Sequence, residues 1–481
     1  MKLENLLKGA QTVAVVCNQW GDTGKGKFSD YFASHWADVI ARGTGGNNAG
    51  HTVVVGKKKK IFHLIPAGIS SDSEGKVTIL GNGMVINPES LCRELDELDM
   101  ENATYNHLMV SKDANVIMPY HIKRDQSRDQ SQQQGGIGST GRGICPCYTD
   151  KVARRGILIE DLFDLNRLIK KIKKTKEFYP EQDIDTEEIL FSITPFAKRI
   201  KPFVRDTVSE MHKFYRQGKK ILLEGAQGLL LSIEHGTYPY VTSSDCSING
   251  TASGVGLSAG IIDLPFGVVK FPFMTRVGAG PFPTELGGEK SEKYCAEDWV
   301  RKLSELENFG IPHEKTNDGA VYNYRHGKIT EMINSNDEFI QGIGIRLAAD
   351  EYGATTTRPR RIGWTDAVAS RYAVGINGPL MILTKPDSVN GANEFKIGYG
   401  YKLKDVVGEF STEFSREESY LRSAKPLYKE YEGYGDISGV RDYKGLPDSL
   451  INSIKDFEGF TKGKVVLVSV GAEREETIVC N

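Results

Sequence analysis

The run Thr12-Val13-Ala14-Val15-Val16-Cys17-Asn18-Gln19-Trp20-Gly21-Asp22-Thr23-Gly24-Lys25-Gly26-Lys27 is the strongest signal in the chain. Thr12 to Cys17 is short and almost wholly apolar, the pattern of a parallel strand buried on both faces. The glycines after it let the backbone curl until several N–H groups converge on phosphate oxygens, and a helix follows. Lys25 and Lys27 supply positive charge. The spacing departs from the common P-loop, which puts four residues between its first Gly and Gly-Lys-Ser/Thr. Here the loop is shorter, and Lys27 stands where the Mg²⁺-binding hydroxyl would be. Asp22 is then the candidate for the metal. A bare Gly-rich turn between strand and helix is the competing reading.

Other short apolar runs repeat the pattern. Lys76–Leu80 ends at Gly81-Asn82-Gly83, and Lys220–Leu223 runs into Glu224-Gly225-Ala226-Gln227-Gly228. Leu380–Leu383 runs into Thr384-Lys385, and Val465–Val468 into Ser469 and Gly471. Each ends in small or polar residues, at the strand end where open α/β sheets bind ligands. The fold class predicted is therefore α/β: a large, mostly parallel central sheet with helices on both faces, P-loop NTPase-like. Val53–Val55 and Ile61–Leu64 predict a peripheral hairpin across the Gly56–Lys60 turn. Helices are predicted over Pro88–Met100, with Leu91, Leu95 and Leu98 on one face, and over Glu160–Lys176, which starts acidic and ends basic. The basic stretch Lys170–Lys176 reads as a solvated helix face rather than an anion site.

From Lys290 to Gln341 the texture changes: charged, with few strand signals. Glu297–Phe309 predicts an amphipathic helix through Trp299, Leu303 and Leu306, closed by Gly310 and Pro312. Residues 290–341 are read as an inserted helical segment on the main body, not as a catalytic unit. The chain has 481 residues, a length that sets a soft prior of about three domains. No linker divides it, so 1–481 is read as one domain.

Composition bounds the function. Hydrophobic residues make up 39% and charged residues 26%, ordinary for a globular protein. The 61 Lys+Arg and 63 Asp+Glu leave a net charge of −2, which argues against general nucleic-acid binding but not against a local basic site. No apolar run is long enough for a transmembrane helix. Met1 to Lys8 is polar, so no signal peptide is expected. The 7 cysteines are read as free thiols in a reducing cytoplasm.

Further loops add chemistry. Gly45-Gly46-Asn47-Asn48-Ala49-Gly50-His51-Thr52 is too small-sided to build a core, and its His can point into a cleft. Gly135-Gly136-Ile137-Gly138-Ser139-Thr140-Gly141-Arg142-Gly143, with Lys151, Arg154 and Arg155 beyond it, suits a second phosphate. Cys145-Pro146-Cys147 lacks a second Cys pair and carries no metal reading. Thr275-Arg276-Val277-Gly278-Ala279-Gly280-Pro281 is a glycine loop. Thr355-Thr356-Thr357-Arg358-Pro359-Arg360-Arg361 packs arginine forks that suit a ligand with more than one carboxylate, with an interface salt-bridge cluster as the alternative. In Thr384-Lys385-Pro386-Asp387 the carboxylate can accept from guanine N1–H and the 2-amino group, whereas adenine N1 would repel it.

Together these residues resemble the adenylosuccinate synthetase family from about Thr12 to Val479, interrupted by the 290–341 segment. The blocks Gln19–Lys27, Gly45–Thr52, Lys151–Gly156, Glu224–Gly228, His235–Ser244 and Arg276–Leu286 fall in the family's order. The resemblance implies GTP-dependent ligation of L-aspartate to inosinate (IMP) through a 6-phosphoryl nucleotide, giving adenylosuccinate, GDP and phosphate. It implies Asp22, His51, Lys25 and Gln227 as catalytic residues, with Asp22 the general base and His51 the donor to the oxygen that gains charge. Asp22 and the Gly50 carbonyl would hold Mg²⁺. GTP would meet Gly21, Thr23, Gly24, Lys25, Gly26, Lys27, Gly50, His51 and Thr52, with Lys385, Asp387, Ser469 and Gly471 around guanine. IMP would meet Asp22, Asn48, Thr140, Arg154, Gln227, Thr242 and Arg360, and aspartate Thr356, Arg358 and Arg360. Arg154 would reach the site of a neighbouring subunit, which implies a homodimer. Neither a nucleic-acid nor a membrane partner is implied.

Three departures from the family pattern stand out. Thr23 replaces the usual Glu after the catalytic Asp, and Thr357 replaces a Gly before the first Arg of the aspartate loop, where a β-branched residue resists positive φ. The third is the 290–341 segment itself. A viral branch of the family, which aminates deoxyguanylate and often uses ATP, also carries Thr at the first position but tends to lose the Asp before it. Because Asp22 and Thr384-Lys385-Pro386-Asp387 are kept, IMP with GTP is favoured over that alternative. An idle GTP-binding homologue is disfavoured by the retained Asp22, Lys25, His51 and arginine loop.

Overall fold

The structure, a computed structural model, describes residues 2–56, 58–70, 75–131, 140–316, 319–353, 357–403 and 410–480. Among these, ten strands form one sheet: β1 Thr12–Cys17, β2 Val39–Arg42, β3 Val77–Leu80, β4 Leu108–Ser111, β5 Val204–Arg205, β6 Ile221–Glu224, β7 Leu264–Lys270, β8 Leu380–Thr384, β9 Lys464–Ser469 and β10 Thr477–Val479. The spatial order is β10-β9-β8-β7-β1-β6-β2-β3-β4-β5. Pairing is parallel throughout except for β10, which runs antiparallel to β9. All six residues of β1 are buried, as expected for a central strand covered on both faces.

The side-chain period of two explains the two layers of helices. Val13 and Val15 face a cluster with Phe28, Phe32 and Trp36, which belong to helix α1 Lys25–His35 and the residue after it. Ala14 faces the other way, toward Met211, Ile248 and Ala252. Helix α2 Pro88–Met100 has the expected bounds, with Asn87 capping Ser90 N–H, and buries Leu91, Leu95 and Leu98. A five-stranded sheet built from Phe273–Arg276, Arg361–Asp366, Glu394–Lys402, Phe410–Ser411 and Lys425–Glu432 flanks the main one.

Two helices begin later than predicted. In place of Glu160–Lys176 there is a 3₁₀ turn, Ile159–Phe163, and then a helix over Leu165–Phe178. Asp164 accepts from Arg167 N–H and so caps a new start. In the 290–341 segment, helix α3 spans only Lys302–Asn308, because Ser304 Oγ accepts from Arg301 N–H and fixes the first turn there. Trp299 lies outside it and is exposed, while Leu306 is fully buried. The segment also holds an antiparallel hairpin, His313–Thr316 with Gly319–Tyr322, that its charged texture concealed. Helix α4 Gly327–Ile333 follows, then helix α5 Glu338–Ala349. Ile311, Tyr322, Ile329 and Met332 join a core shared with Phe271, Trp364 and Leu383.

Candidate active site

The carboxyl ends of β1, β2 and β8 open onto one cavity of about 1630 Å³. That exceeds the range usual for a single small ligand, so it can hold more than one substrate. Asp22, Gly24, Lys25 and Gly26 line it from the loop after β1, and Gly50, His51 and Thr52 from the stretch after β2. Lys385 and Asp387 line it after β8, and Thr357 and Arg360 from the arginine loop. Gly26 makes this convergence possible. A Cβ there would sit 2.9 Å from the Thr52 carbonyl oxygen and 3.1 Å from His51 Cβ, so only glycine lets α1 abut the strand that starts at His51.

Asp22 is half-buried, at φ +50°. Its carboxylate forms an ion pair at 2.8 Å with Nε of Arg360. Arg360 Nη1 lies 2.5 Å from Glu351 Oε2, and that oxygen lies 2.6 Å from Lys270 Nζ. Burial would raise the Glu351 carboxyl, but Lys270 and Arg360 outweigh it and hold the group down to about 2. Burial drives Lys270 down to about 8, against the pull of Glu351. A chain of alternating charge thus runs from the interior out to Asp22.

His51 Nδ1 lies 2.5 Å from Glu224 Oε1, and Glu224 Oε2 accepts from Ala67 N–H at 2.9 Å. Both side chains are buried. Burial pulls the imidazole below its ordinary value, with Glu224 acting in the opposite direction. A carboxylate accepts only, so Nδ1 carries the proton and Nε2 can donate only in the imidazolium form. Glu224 is the group that makes this form accessible. Its place at the end of an apolar strand run was the available sequence signal, but its partner lies 173 positions away.

The other expected residues divide between the cavity wall and its surroundings. Lys25 Nζ donates to the Gln227 carbonyl at 2.6 Å. Gln227 is at φ +47°, with both side-chain amide atoms buried and unpaired among the described residues. Lys27 does not line the cavity: its Nζ donates to Ser469 Oγ at 2.7 Å and to the Gly471 and Glu476 carbonyls at 2.9 Å. It ties α1 to the loop after β9, and burial draws it down to about 7. The Thr23 side chain is fully buried, and its backbone carbonyl accepts from Thr384 Oγ1 at 2.9 Å, so the Thr384 hydroxyl supports the loop from behind. Asn48 folds back on its own loop, accepting from Gly46 N–H, and Asn47 takes the cavity wall instead. Thr140 and Arg154 are exposed and Thr242 is half-buried; none is on this wall. Gly21, Ser469 and Gly471 are also off it, although Ala472 lines it. Arg358 pairs with Asp298 rather than lining the cavity. Thr356 lies outside the described residues, as do Gly135–Ser139. Thr357 adopts φ +53°, the strained conformation that a glycine would take freely. The 290–341 segment does reach the site: Arg301, Lys302, Leu303, Tyr324 and Arg325 line the cavity.

A phosphate-type loop after a central strand, with a carboxylate, an imidazole, lysines and an arginine around one cleft, defines a nucleotide-dependent α/β enzyme. The family model for adenylosuccinate synthetase matches residues 14–478, and the chain belongs to that family. Its members are ligases that form a C–N bond, and this chain is one of them. The adenylosuccinate synthetase of Halothermothrix orenii is 38% identical over 474 residues, covering 96% of this chain and 97% of its own. That of Thermodesulfovibrio yellowstonii is 36% identical over 479 residues, covering 97% and 98%. The fully ligated adenylosuccinate synthetase from Plasmodium falciparum superposes with a TM-score of 0.80 at 30% identity, covering 98% of this chain and 100% of that one. Succinoaminodeoxyadenylate synthetase from cyanophage S-2L, bound to dGMP and dATP, shares the fold at a TM-score of 0.54 and 17% identity, over 97% and 94%.

Proposed function

We propose that the cavity carries out GTP-dependent ligation of L-aspartate to IMP, with Asp22, His51 and Lys25 as the reacting groups. The observation that carries this reading is that Asp22 and His51, from different strand ends, line one cavity with Lys25 and Arg360. The purine 6-oxygen is a poor leaving group, so it must first be phosphorylated. Asp22 takes the N1 proton, which makes that oxygen nucleophilic toward the γ-phosphoryl of GTP. His51, as imidazolium backed by Glu224, donates to the oxygen that gains charge between base and phosphoryl. Lys25, fixed by the Gln227 carbonyl, neutralises the phosphoryl group. The aspartate amine then displaces phosphate from carbon 6. Arg360 is the natural holder of a substrate carboxylate, since its fork is already aimed at one.

Asp387 stands on the cavity wall after β8, where its carboxylate suits guanine N1–H and the 2-amino group. Burial raises its carboxyl above the usual range, with Lys385 opposing. Among the described residues no three His, Cys, Asp or Glu side chains converge to hold a metal. Asp22 and Gly50 both line the cavity, and Mg²⁺ takes one or two protein oxygens and completes its shell with phosphates and water. The Asp22 carboxylate and the Gly50 carbonyl would hold it, and when bound it would neutralise phosphate charge.

Arg154 is exposed, at φ +60° and off this cavity's wall, which supports its serving a neighbouring subunit in a homodimer. The seven cysteines are free thiols, which supports a cytoplasmic setting. No helix among the described residues is long and apolar enough to cross a membrane. The test is phosphate release with IMP, guanylate and deoxyguanylate, each paired with GTP and with ATP. Turnover with IMP, aspartate and GTP, abolished in Asp22→Asn, is expected. Preference for deoxyguanylate would overturn the substrate assignment.

A further inference from the structure

The arginine loop and the 290–341 segment are held as one unit by a buried arginine. Arg346, on α5, donates from Nε to the Arg360 carbonyl at 2.8 Å. Its Nη1 pairs with Glu305 of α3, and its Nη2 reaches Cys295 Sγ at 3.2 Å. Glu305 also accepts from the Tyr352 hydroxyl at 2.5 Å, and Tyr352 bridges to Pro359 at the base of the loop. Glu305 and Arg346 are fully buried. The turn just before α3 is fixed in its own right. Val300 is fully buried, and Ser304 Oγ donates to the Trp299 carbonyl at 3.0 Å.

Asp298 lies in that turn, with its Oδ1 3.2 Å from Nη2 of Arg358. The pair is in solvent: Asp298 is 86% exposed and Arg358 43%. Thr357 and Arg360 of the same loop line the cavity, while Arg358 turns to Asp298.

We propose that Asp298 is a carboxylate competitor built into the chain. It occupies the Arg358 fork in place of a carboxylate of the amino-acid substrate, and so weakens binding of that substrate. This rests on the proposed ligation of aspartate and on Arg358 being, as the family resemblance implies, one of the residues that hold it. A fork that pairs with a tethered carboxylate must exchange it for the free one, and an exposed pair of this kind opposes the exchange only modestly.

The experiment is steady-state kinetics on the full chain with Asp298→Asn and, separately, Arg358→Ala. Asp298→Asn is expected to lower the aspartate KM about two- to fivefold, with kcat and the KM values for GTP and IMP unchanged. It is also expected to lower the inhibition constant of succinate, a dicarboxylate without the amine, by the same factor. Arg358→Ala is expected to raise the aspartate KM. If Arg358→Ala raises it and Asp298→Asn leaves it unchanged or raises it too, the competitor is overturned while the site reading stands. If Arg358→Ala leaves it unchanged, the site reading fails and the competitor fails with it.

Discussion

At the scale of single residues, the Glu224–His51 contact separates a catalytic imidazole from a merely buried one. Replacing Glu224 by Gln keeps the size of the side chain and removes its charge. The burial that already pulls His51 below its ordinary value then acts without the opposing carboxylate. The imidazolium fraction at any given pH falls, so the alkaline limb of the kcat–pH profile moves to lower pH. At neutral pH kcat drops about 100-fold, the lower end of what one positioned proton donor contributes, while the aspartate KM stays near that of the parent. A parental pH profile in Glu224→Gln would remove His51 from the donor role. Asp22, Lys25 and His51 were legible because their loops are short, glycine-rich and attached to strand ends. Glu224, Lys270 and Glu351 were not, because each acts through a partner far away in sequence. Lys27 was legible only as a charge: nothing local indicates that three acceptors, from Ser469, Gly471 and Glu476, draw it away from the cleft.

Elements were read from periodicity, and the errors fall where capping or tertiary pairing overrides it. β1 and α2 have the predicted bounds because their apolar faces are continuous from end to end. The segments before α3 and before Leu165 carry helical periodicity, yet a side-chain cap starts each helix later. The helices Pro119–Ser131 and Ile144–Val152 are braced by a node that no pattern announces. Asp150 takes His121 Nε2 at 3.0 Å and the Tyr179 hydroxyl at 2.5 Å, and pairs with Arg155 at 3.2 Å. Burial would raise the Asp150 carboxyl, but the bonds from His121 and Tyr179 and the charge of Arg124 hold it down to about 2. Its folded value therefore lies below the unfolded one, so its stabilisation is complete above about pH 4 and disappears as pH falls toward 2. Asp150→Asn leaves arginines and an imidazole facing a neutral group and is expected to cost about 3 kcal/mol at pH 7. Urea unfolding of parent and variant should show that gap narrowing as pH is lowered from 4. A gap that stays constant from pH 7 down to the acid limit of folding would mean that Asp150 contributes by shape and not by charge.

On the scale of the whole molecule, the parallel sheet gathers chemistry that is scattered along the chain. Asp22, His51 and Asp387 come from three strands and meet at one edge because β1, β2 and β8 run the same way. Arg154 is the exception, since it is exposed and does not line that cavity. If it completes the nucleotide site of a second copy, catalysis needs two chains, and specific activity must depend on concentration. Serial dilution should leave activity per chain constant until the protein begins to dissociate and then lower it in step with the dimer fraction seen by sedimentation velocity. Saturating IMP should hold the dimer together and shift that fall to lower protein concentration, because a ligand gripped by both chains stabilises their association. In Arg154→Leu, whose exposed position makes a folding defect unexpected, the IMP KM should rise and the protective effect of IMP on the dimer should vanish. Constant specific activity through full dissociation to monomers would show that each chain's site is complete by itself, and Arg154 would then be an ordinary surface residue.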